Sequence, residues 1–581
     1  MPGRARSRSP VAFRDVPPAR LPAAARSHAT GGTGGARMDS TPGETTPVVT
    51  SSDPQPAAPV PTPDTAPTLA TPRPRTVAPV DLLELAAVTG ATSSRATTTT
   101  TTTATTVTGV TLHADEVRPG DLFAALPGSR VHGIAFADVA LAAGAVAILT
   151  DPAGAARPMS VPMLVHPRPR DVLGVAAARV YGDPTAMLSV IGVTGTSGKT
   201  TVAHLVEAGL AGSGRTTGLL GTVGTRVAGA VLPSAFTTPE APALQALFAV
   251  MVQAGVTDVA MEVSSHALAL GRVAGTGFAV GAFTNLSQDH LDFHVDMEDY
   301  FATKARLFGP GGARAAVICV EDEWGRRLAA RVSGAVTVST RPGAPAHWRA
   351  ADLETVVDGT QVFTAITPDG SEVPVRLLLP GAFNATNALV ALACLAAVGV
   401  PPDVAAPLFA QVTVPGRMQR IEVGQPYLAV VDYAHKPAAV AALLDALRAQ
   451  VPGRLLVVLG CGGDRDPGKR PLMGAAAASR AELLVVTDDN PRGEDPATIR
   501  AAVLAGARAA PRRGEVLEIG DRGAAIAAAV AGAAPGDAVV VAGKGHETGQ
   551  EIGGTTHPFD DADELTATVI AAGGAVVRGA R

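Results

Sequence analysis

The chain has 581 residues, with 47 Lys+Arg against 52 Asp+Glu, a formal net charge of −5, and aromatics at only 3%. That length exceeds what one core supports and predicts several domains, their interiors built from small aliphatic side chains. The near-neutral charge, the widely spaced Cys319, Cys394 and Cys461, and the lack of an apolar run of about 18 residues argue against nucleic-acid binding, a disulfide framework, a thiolate metal site and membrane insertion.

Residues 1–77 are rich in Pro, Ala, Thr, Ser and Arg and nearly free of large apolar side chains, so they are expected to form a disordered tail. Met38 lies inside it as an alternative start, and no apolar signal core follows the Arg-rich beginning, which fits a cytoplasmic chain. Residues 78–183 alternate short helix-like and strand-like runs (80–89, 107–112, 121–125, 136–143, 146–150), interrupted by a Thr-rich insertion at 97–103. A longer β–helix series follows over 184–418, and another over 419–581 with strand-like runs at 428–431, 455–459, 483–487 and 538–542. The predicted class is α/β, with mostly parallel sheets covered on both faces and ligands at the carboxyl ends of strands.

The informative segments all fall at such ends. An apolar run closes at Val193, Thr194–Thr200 (Thr-Gly-Thr-Ser-Gly-Lys-Thr) makes a glycine turn, and helical spacing starts at Thr201. Strand, turn and helix N-terminus together cradle a phosphate: backbone N–H groups of Gly195, Thr196, Ser197 and Gly198 face it, Lys199 adds a charge and the Thr200 hydroxyl can hold Mg²⁺. The generic pattern asks for Gly at 193, where this chain has Val. ATP and Mg²⁺ are therefore the expected cofactors. Glu262, in Met261–His266, leaves a strand-like run and is placed to coordinate that Mg²⁺. The Asp/His-rich stretch 284–294 alone would read as a solvated loop; beside a phosphate loop, His290 fits a second-metal ligand and Asp289 its orienting partner. Three further loops, 462–466, Asp489-Asn490-Pro491-Arg492 and 543–547, each follow an apolar strand and should meet at one sheet edge. Their guanidiniums, carboxylate and amides suit a zwitterionic amino acid.

Thr194–Thr200, Glu262–His266, Asn285–His290 and Tyr300–Lys304 occur in the order and spacing of the Mur ligases, and the chain resembles that family over about 78–575. The resemblance implies a three-domain architecture: a UDP-sugar-binding domain (78–183), a central ATP-binding domain (184–418) and a Rossmann-like C-terminal domain (419–581) that holds the amino acid. It implies that Lys304 is carbamylated to N6-carboxylysine and joins Thr200, Glu262 and His290 around metal. It implies that Thr201, Asn384, Asn387, Arg417 and Asp432 sit at the nucleotide, and that Lys199, Glu262, His290, Lys304 and Arg417 form the catalytic set. Asp-Asn-Pro-Arg marks the branch that adds meso-diaminopimelate. By resemblance Arg465, Asp489, Asn490, Pro491, Arg492, Gly543 and Glu547 bind that amino acid, while Thr237, Thr238, Ser264 and Arg272 meet the UDP-N-acetylmuramoyl dipeptide. In the first domain Val110-Thr111-Leu112 departs from the family's Asp-Ser-Arg, and Thr111 keeps only a hydroxyl. The implied reaction is ATP-dependent addition of diaminopimelate to the D-Glu side-chain carboxylate, in a monomer. The competing readings are the same reaction with L-lysine, a folylpolyglutamate synthetase, and a non-catalytic nucleotide-dependent scaffold.

Overall fold

A computed structural model describes residues 72–94, 104–232, 237–356 and 359–573. Of the tail expected over 1–77, residues 1–71 lie outside the described residues, as does the Thr-rich insertion at 97–103. Residues 72–77, which composition groups with the tail, are tied down: Arg73 Nη1 donates to both oxygens of Asp121 at 2.7 Å. Gln253 accepts from the Arg75 amide and donates to the Thr76 carbonyl, both at 2.8 Å. Among the described residues no helix is long and apolar enough to cross a membrane.

Among those residues the largest sheet has eleven strands. Its middle is parallel, with Thr217–Gly221, Asp258–Glu262, Ser189–Thr194, Phe278–Phe283, Ala315–Cys319 and Val336–Ser339 side by side. Antiparallel strands close both margins. Ser189–Thr194 is buried almost throughout because helices cover both faces of the sheet. Ile191 and Val193 join Val202, Leu205, Leu389 and Leu392, from helices Lys199–Gly212 and Ala382–Ala397, in one core. Val190 points the other way, to Leu244, Phe248 and Met251 of helix Ala241–Gln253. Val193, the departure from the generic phosphate loop, is fully buried between Glu262 and Ala282 of the neighbouring strands. Burying a valine contributes about 1.5–3 kcal/mol, so the core beneath the loop accounts for the residue.

A five-stranded sheet built from Thr92–Ser94, Met163–Val165, Ala147–Thr150, Asp121–Ala124 and Gly109–Thr111 precedes this body. A six-stranded sheet follows it, with antiparallel Gln419–Ile421 at the edge and then Leu428–Asp432, Ala538–Ala542, Leu455–Leu459, Leu483–Val486 and Glu515–Glu518 in parallel. The register aligns Asp432, Leu459 and Val486 with Ala542 or its neighbour, so the loops after these strands leave from one edge. Beneath that edge Arg522 and Asp561 form a fully buried bidentate pair, both bonds 2.7 Å long. Arg522 also donates to the carbonyls of Ala542 and Asp488, which anchors the roots of two of the loops. Removing one partner of such a pair strands a buried charge. Asp561→Ala is therefore expected to destabilise this part of the chain by about 3–5 kcal/mol, seen as an earlier transition in a denaturant titration.

Candidate active site

The phosphate loop turns at Gly195 (φ 146°) and Gly198 (φ 86°), both in the left-handed half of backbone space that favours glycine. A side chain at 195 would meet Thr284 Oγ1, and one at 198 would come within 2.4 Å of Asn387 Oδ1. Asn285 braces the turn by accepting from the Ser197 amide at 3.0 Å and donating to its carbonyl at 3.1 Å. The helix begins at Lys199, two residues earlier than its apolar spacing indicates, so Lys199 and Thr200 belong to its first turn. Gly198→Ala is expected to weaken nucleotide binding at least about tenfold, because strain and the Asn387 clash deform the cradle; nucleotide titration calorimetry checks this.

Three lysine amino groups converge on two carbonyls of this loop. Lys199 Nζ donates to Gly195 O at 3.0 Å and Thr196 O at 3.1 Å, Lys304 Nζ to Gly195 O at 2.9 Å, and Lys436 Nζ to Thr196 O at 3.3 Å. Burial, with Lys436 nearby, pushes Lys199 down to about 8. Lys304, 1% exposed and over the Tyr300 ring, is held well below the usual lysine value by burial and by the charges of Lys199 and Lys436. Arg417 adds a guanidinium: it stacks on Tyr433 at 4.2 Å, donates to Thr200 Oγ1 at 3.3 Å, and keeps Nη1 buried without a hydrogen-bond partner among the described residues. So many desolvated cations around one loop suit a polyanion.

Glu262 stands opposite, at the end of the adjacent strand and 1% exposed. Its Oε1 accepts from the Thr222 amide at 2.7 Å and its Oε2 from the Thr222 hydroxyl at 3.1 Å. Thr222 also contacts the Thr237 hydroxyl at 3.1 Å, and Thr238 donates to the Glu262 carbonyl at 2.9 Å. The Ser264 amide donates to the Thr238 hydroxyl, and Arg272 donates to the Thr238 carbonyl while pairing with Glu240. His290 sits at positive φ (54°) with Nε2 3.0 Å from Asp289 Oδ2, and burial pushes its imidazole down to about 3 against the pull of Asp289. Among the described residues no three His, Cys, Asp or Glu side chains gather as a metal site.

At the edge of the last sheet Asn490 donates to Glu547 Oε2 at 2.8 Å and accepts from Lys544 at 3.2 Å and from the Glu551 amide at 3.0 Å. Tyr433 donates to the other oxygen of Glu547 at 3.2 Å. Arg492, also at positive φ (54°), commits Nη1 to Gly463 O at 2.7 Å and Nε to Glu551 at 3.2 Å, which fixes the guanidinium plane. Glycine at 462 leaves room for it, since a Cβ there would lie 2.9 Å from Nη1. Gly543 (φ 116°) likewise admits Asp489, whose carboxyl is buried against the Lys544 and Arg522 side and has its pKa raised by that burial. Arg465 is exposed and bonds only the neighbouring Asp464 carbonyl.

The chain matches the Mur ligase middle domain over residues 193–395, the Mur ligase glutamate ligase domain over 416–545 and the Mur ligase family catalytic domain over 106–181. It is 57% identical to a Corynebacterium efficiens protein over 455 residues, 76% of this chain and 86% of that one, and 45% identical to a Pseudomonas aeruginosa protein over 461 residues, 78% of this chain and 93% of that one. Both relatives bear the name UDP-N-acetylmuramoyl-L-alanyl-D-glutamate–2,6-diaminopimelate ligase. The chain belongs to the Mur ligase family. A solved structure of a ligase of that same name aligns with TM-score 0.57 at 33% identity, covering 80% of this chain and 95% of that one. The MurF ligase of Thermotoga maritima, solved with ADP, shares the fold at 20% identity and TM-score 0.56, over 80% and 96% of the two chains.

In this Mur ligase the structure brings Lys199, Thr200, Lys304 and Arg417 to one loop, and sets Asn490, Arg492, Gly543 and Glu547 along one edge. Asn384 donates to the Pro380 carbonyl and accepts from Asn387, which abuts the loop at Gly198; Asp432 accepts from the Met418 amide beside Arg417. Arg465 stays outside the Asn490–Glu547 cluster, and the Thr111 hydroxyl accepts from the His113 amide at 3.1 Å, closing its own turn. Sequence reasoning missed Thr222, Lys436 and Lys544. Lys436 stands in the Asp432–Pro437 motif, and Lys544 lies between the two glycines of 543–545, so both were in view as letters. Nothing local distinguishes a buried lysine from a surface one.

Proposed function

We propose that this Mur ligase joins meso-diaminopimelate to the D-Glu side-chain carboxylate of UDP-N-acetylmuramoyl-L-Ala-D-Glu at the expense of ATP, in the cytoplasm, as a step of peptidoglycan precursor synthesis. The observation that carries the reading is the Asp489–Arg492 loop braced against Glu547, an acid and a guanidinium spaced along one edge for a zwitterion with a second carboxylate. The name shared by the similar proteins supports it.

The D-Glu carboxylate attacks the γ-phosphorus, giving an acyl phosphate and ADP; the diaminopimelate amine then attacks the activated carbonyl and expels phosphate. Lys199 and Arg417 neutralise charge as the phosphoryl group moves, the main task of a protein in such a transfer. The donor set fits Mg²⁺, which takes oxygen ligands: Thr200 offers a hydroxyl beside the loop and Glu262 a buried carboxylate. Thr200, Glu262, His290 and carbamylated Lys304 would hold it, and it supplies Lewis-acid neutralisation of the phosphates. Thr201, Asn384 and Asp432 flank the nucleotide, and Thr237, Thr238, Ser264 and Arg272 meet the muramoyl peptide. Thr111 lies toward the uridine end.

Phosphate release from ATP, the UDP-dipeptide and a panel of amino acids tests the reading. Release that requires all three and is fastest with diaminopimelate supports it. Faster turnover with L-lysine, or release indifferent to the acceptor, overturns it.

A further inference from the structure

Lys436 has no role in the reaction outlined above, yet it is the most deeply engaged cation that the last sheet sends to the phosphate loop. It is the N-cap residue of helix Pro437–Arg448, just beyond strand Leu428–Asp432, and is 8% exposed. Its Nζ lies 2.7 Å from Asp289 Oδ2 and 3.3 Å from Thr196 O. The same Asp289 oxygen is 3.0 Å from His290 Nε2. Thr196 follows strand Ser189–Thr194, and Asp289 follows strand Phe278–Phe283 of the central sheet. One ammonium thus ties two loops of one sheet to a loop of another. The pair is desolvated, so its parts cannot separate without leaving a buried charge uncompensated. Although burial opposes ionisation of Asp289, the charge and hydrogen bond of Lys436 hold its carboxyl below the usual carboxylate range.

Resting on the reaction assigned above, we propose that Lys436 is a positioning residue for its first half. By pairing with Asp289 it seats the last sheet on the phosphate loop and holds Asp289 and His290 in the arrangement that phosphoryl transfer needs. Domain closure and the geometry at the γ-phosphate then become one event, as expected where closure completes a site. Its ammonium is engaged on this side of the crevice, whereas Asn490, Lys544 and Glu547 form a separate cluster. Its loss should therefore slow acyl-phosphate formation and leave diaminopimelate binding alone.

The test compares the unmodified enzyme with Lys436→Met, Lys436→Arg, Asp289→Asn and the Met/Asn double variant. ADP formation is followed in single turnover with ATP and the UDP-dipeptide, alongside steady-state kinetics and thermal unfolding. Lys436→Met should slow ADP formation roughly 10- to 100-fold, with the diaminopimelate KM within about twofold and a melting midpoint lowered by the stranded Asp289 charge but still above the assay temperature. Lys436→Arg should recover part of the rate, and the double variant should be no slower than Asp289→Asn alone, because one interaction is lost in each. A wild-type rate in Lys436→Met, a change confined to the diaminopimelate KM, or losses that multiply in the double variant would overturn the proposal. If Lys436→Met does not fold, Asp289→Asn and Lys436→Arg carry the same comparison. An unmodified protein that makes no amide bond at all would sink the assigned reaction and not the role of Lys436.

Discussion

Lys304→Ala is expected to lower amide formation by on the order of 10³-fold, the scale on which preorganised charge around a reacting phosphate acts. Lys304 is almost wholly buried, its Nζ rests on Gly195 O, and Lys199 and Lys436 stand nearby. Burial and those charges shift Lys304 toward the neutral amine. A neutral amine attacks CO₂ to give a carbamate and a proton, and the product is an anion in a nest of cations. Burial opposes either charge, but the neighbouring cations that make the ammonium costly favour the carbamate. The unmodified enzyme should show a carbamate carbon signal after exchange with ¹³C-bicarbonate, and Lys304→Ala should lack it. Short carboxylates added to the Ala variant should restore part of the rate by filling the vacated volume with an anion. A variant that turns over at the unmodified rate would remove Lys304 from the metal-holding set.

The second large effect is expected at Arg492. Arg492→Lys should lower kcat/KM for diaminopimelate about 10²-fold, the loss of a charge-assisted bidentate contact, with the ATP KM within about twofold. Two of the guanidinium's nitrogens are already braced by Gly463 and Glu551, so its plane is set before ligand arrives. A lysine cannot reproduce that fork. Because residue 492 has a positive φ, backbone strain must be separated from chemistry. Arg492→Gly relieves the strain while Arg492→Ala does not, and equal losses in both assign the effect to the guanidinium. Equal impairment toward ATP and the amino acid would instead mean that the loop, and not the side chain, had been damaged.

Both predictions draw on residues that were legible in the sequence at unequal depth. Thr194–Thr200 announced a phosphate loop by itself, because strand, glycine turn and helix start are local features. Val193 looked like an error in the pattern until its burial between Glu262 and Ala282 explained it. Asp489–Arg492 was readable as letters, and the apolar strands before the loops at 462, 489 and 543 predicted that they would share an edge. The parallel register of the last sheet is what aligns them. Lys436 and Lys544 show the limit: their letters stand in plain view, yet nothing around them in the sequence says that their side chains are buried and bonded.

The sequence by itself determined the α/β class, the phosphate loop with Lys199 and Thr200, and, through the motifs that resemble the Mur ligases, the set of residues to inspect. These are properties of short windows, where periodicity and glycine placement act over a few residues. Only the tertiary structure decided that Lys199, Lys304 and Lys436 share two carbonyls, that Thr222 occupies both oxygens of Glu262, and that Arg522 with Asp561 underpins the amino-acid edge. Apart from Lys199, whose carbonyl partners are three and four residues back, those partners lie 39 to 240 residues apart. What selects them is desolvation, which is strong only once the surrounding chain has excluded water and which no local pattern can encode.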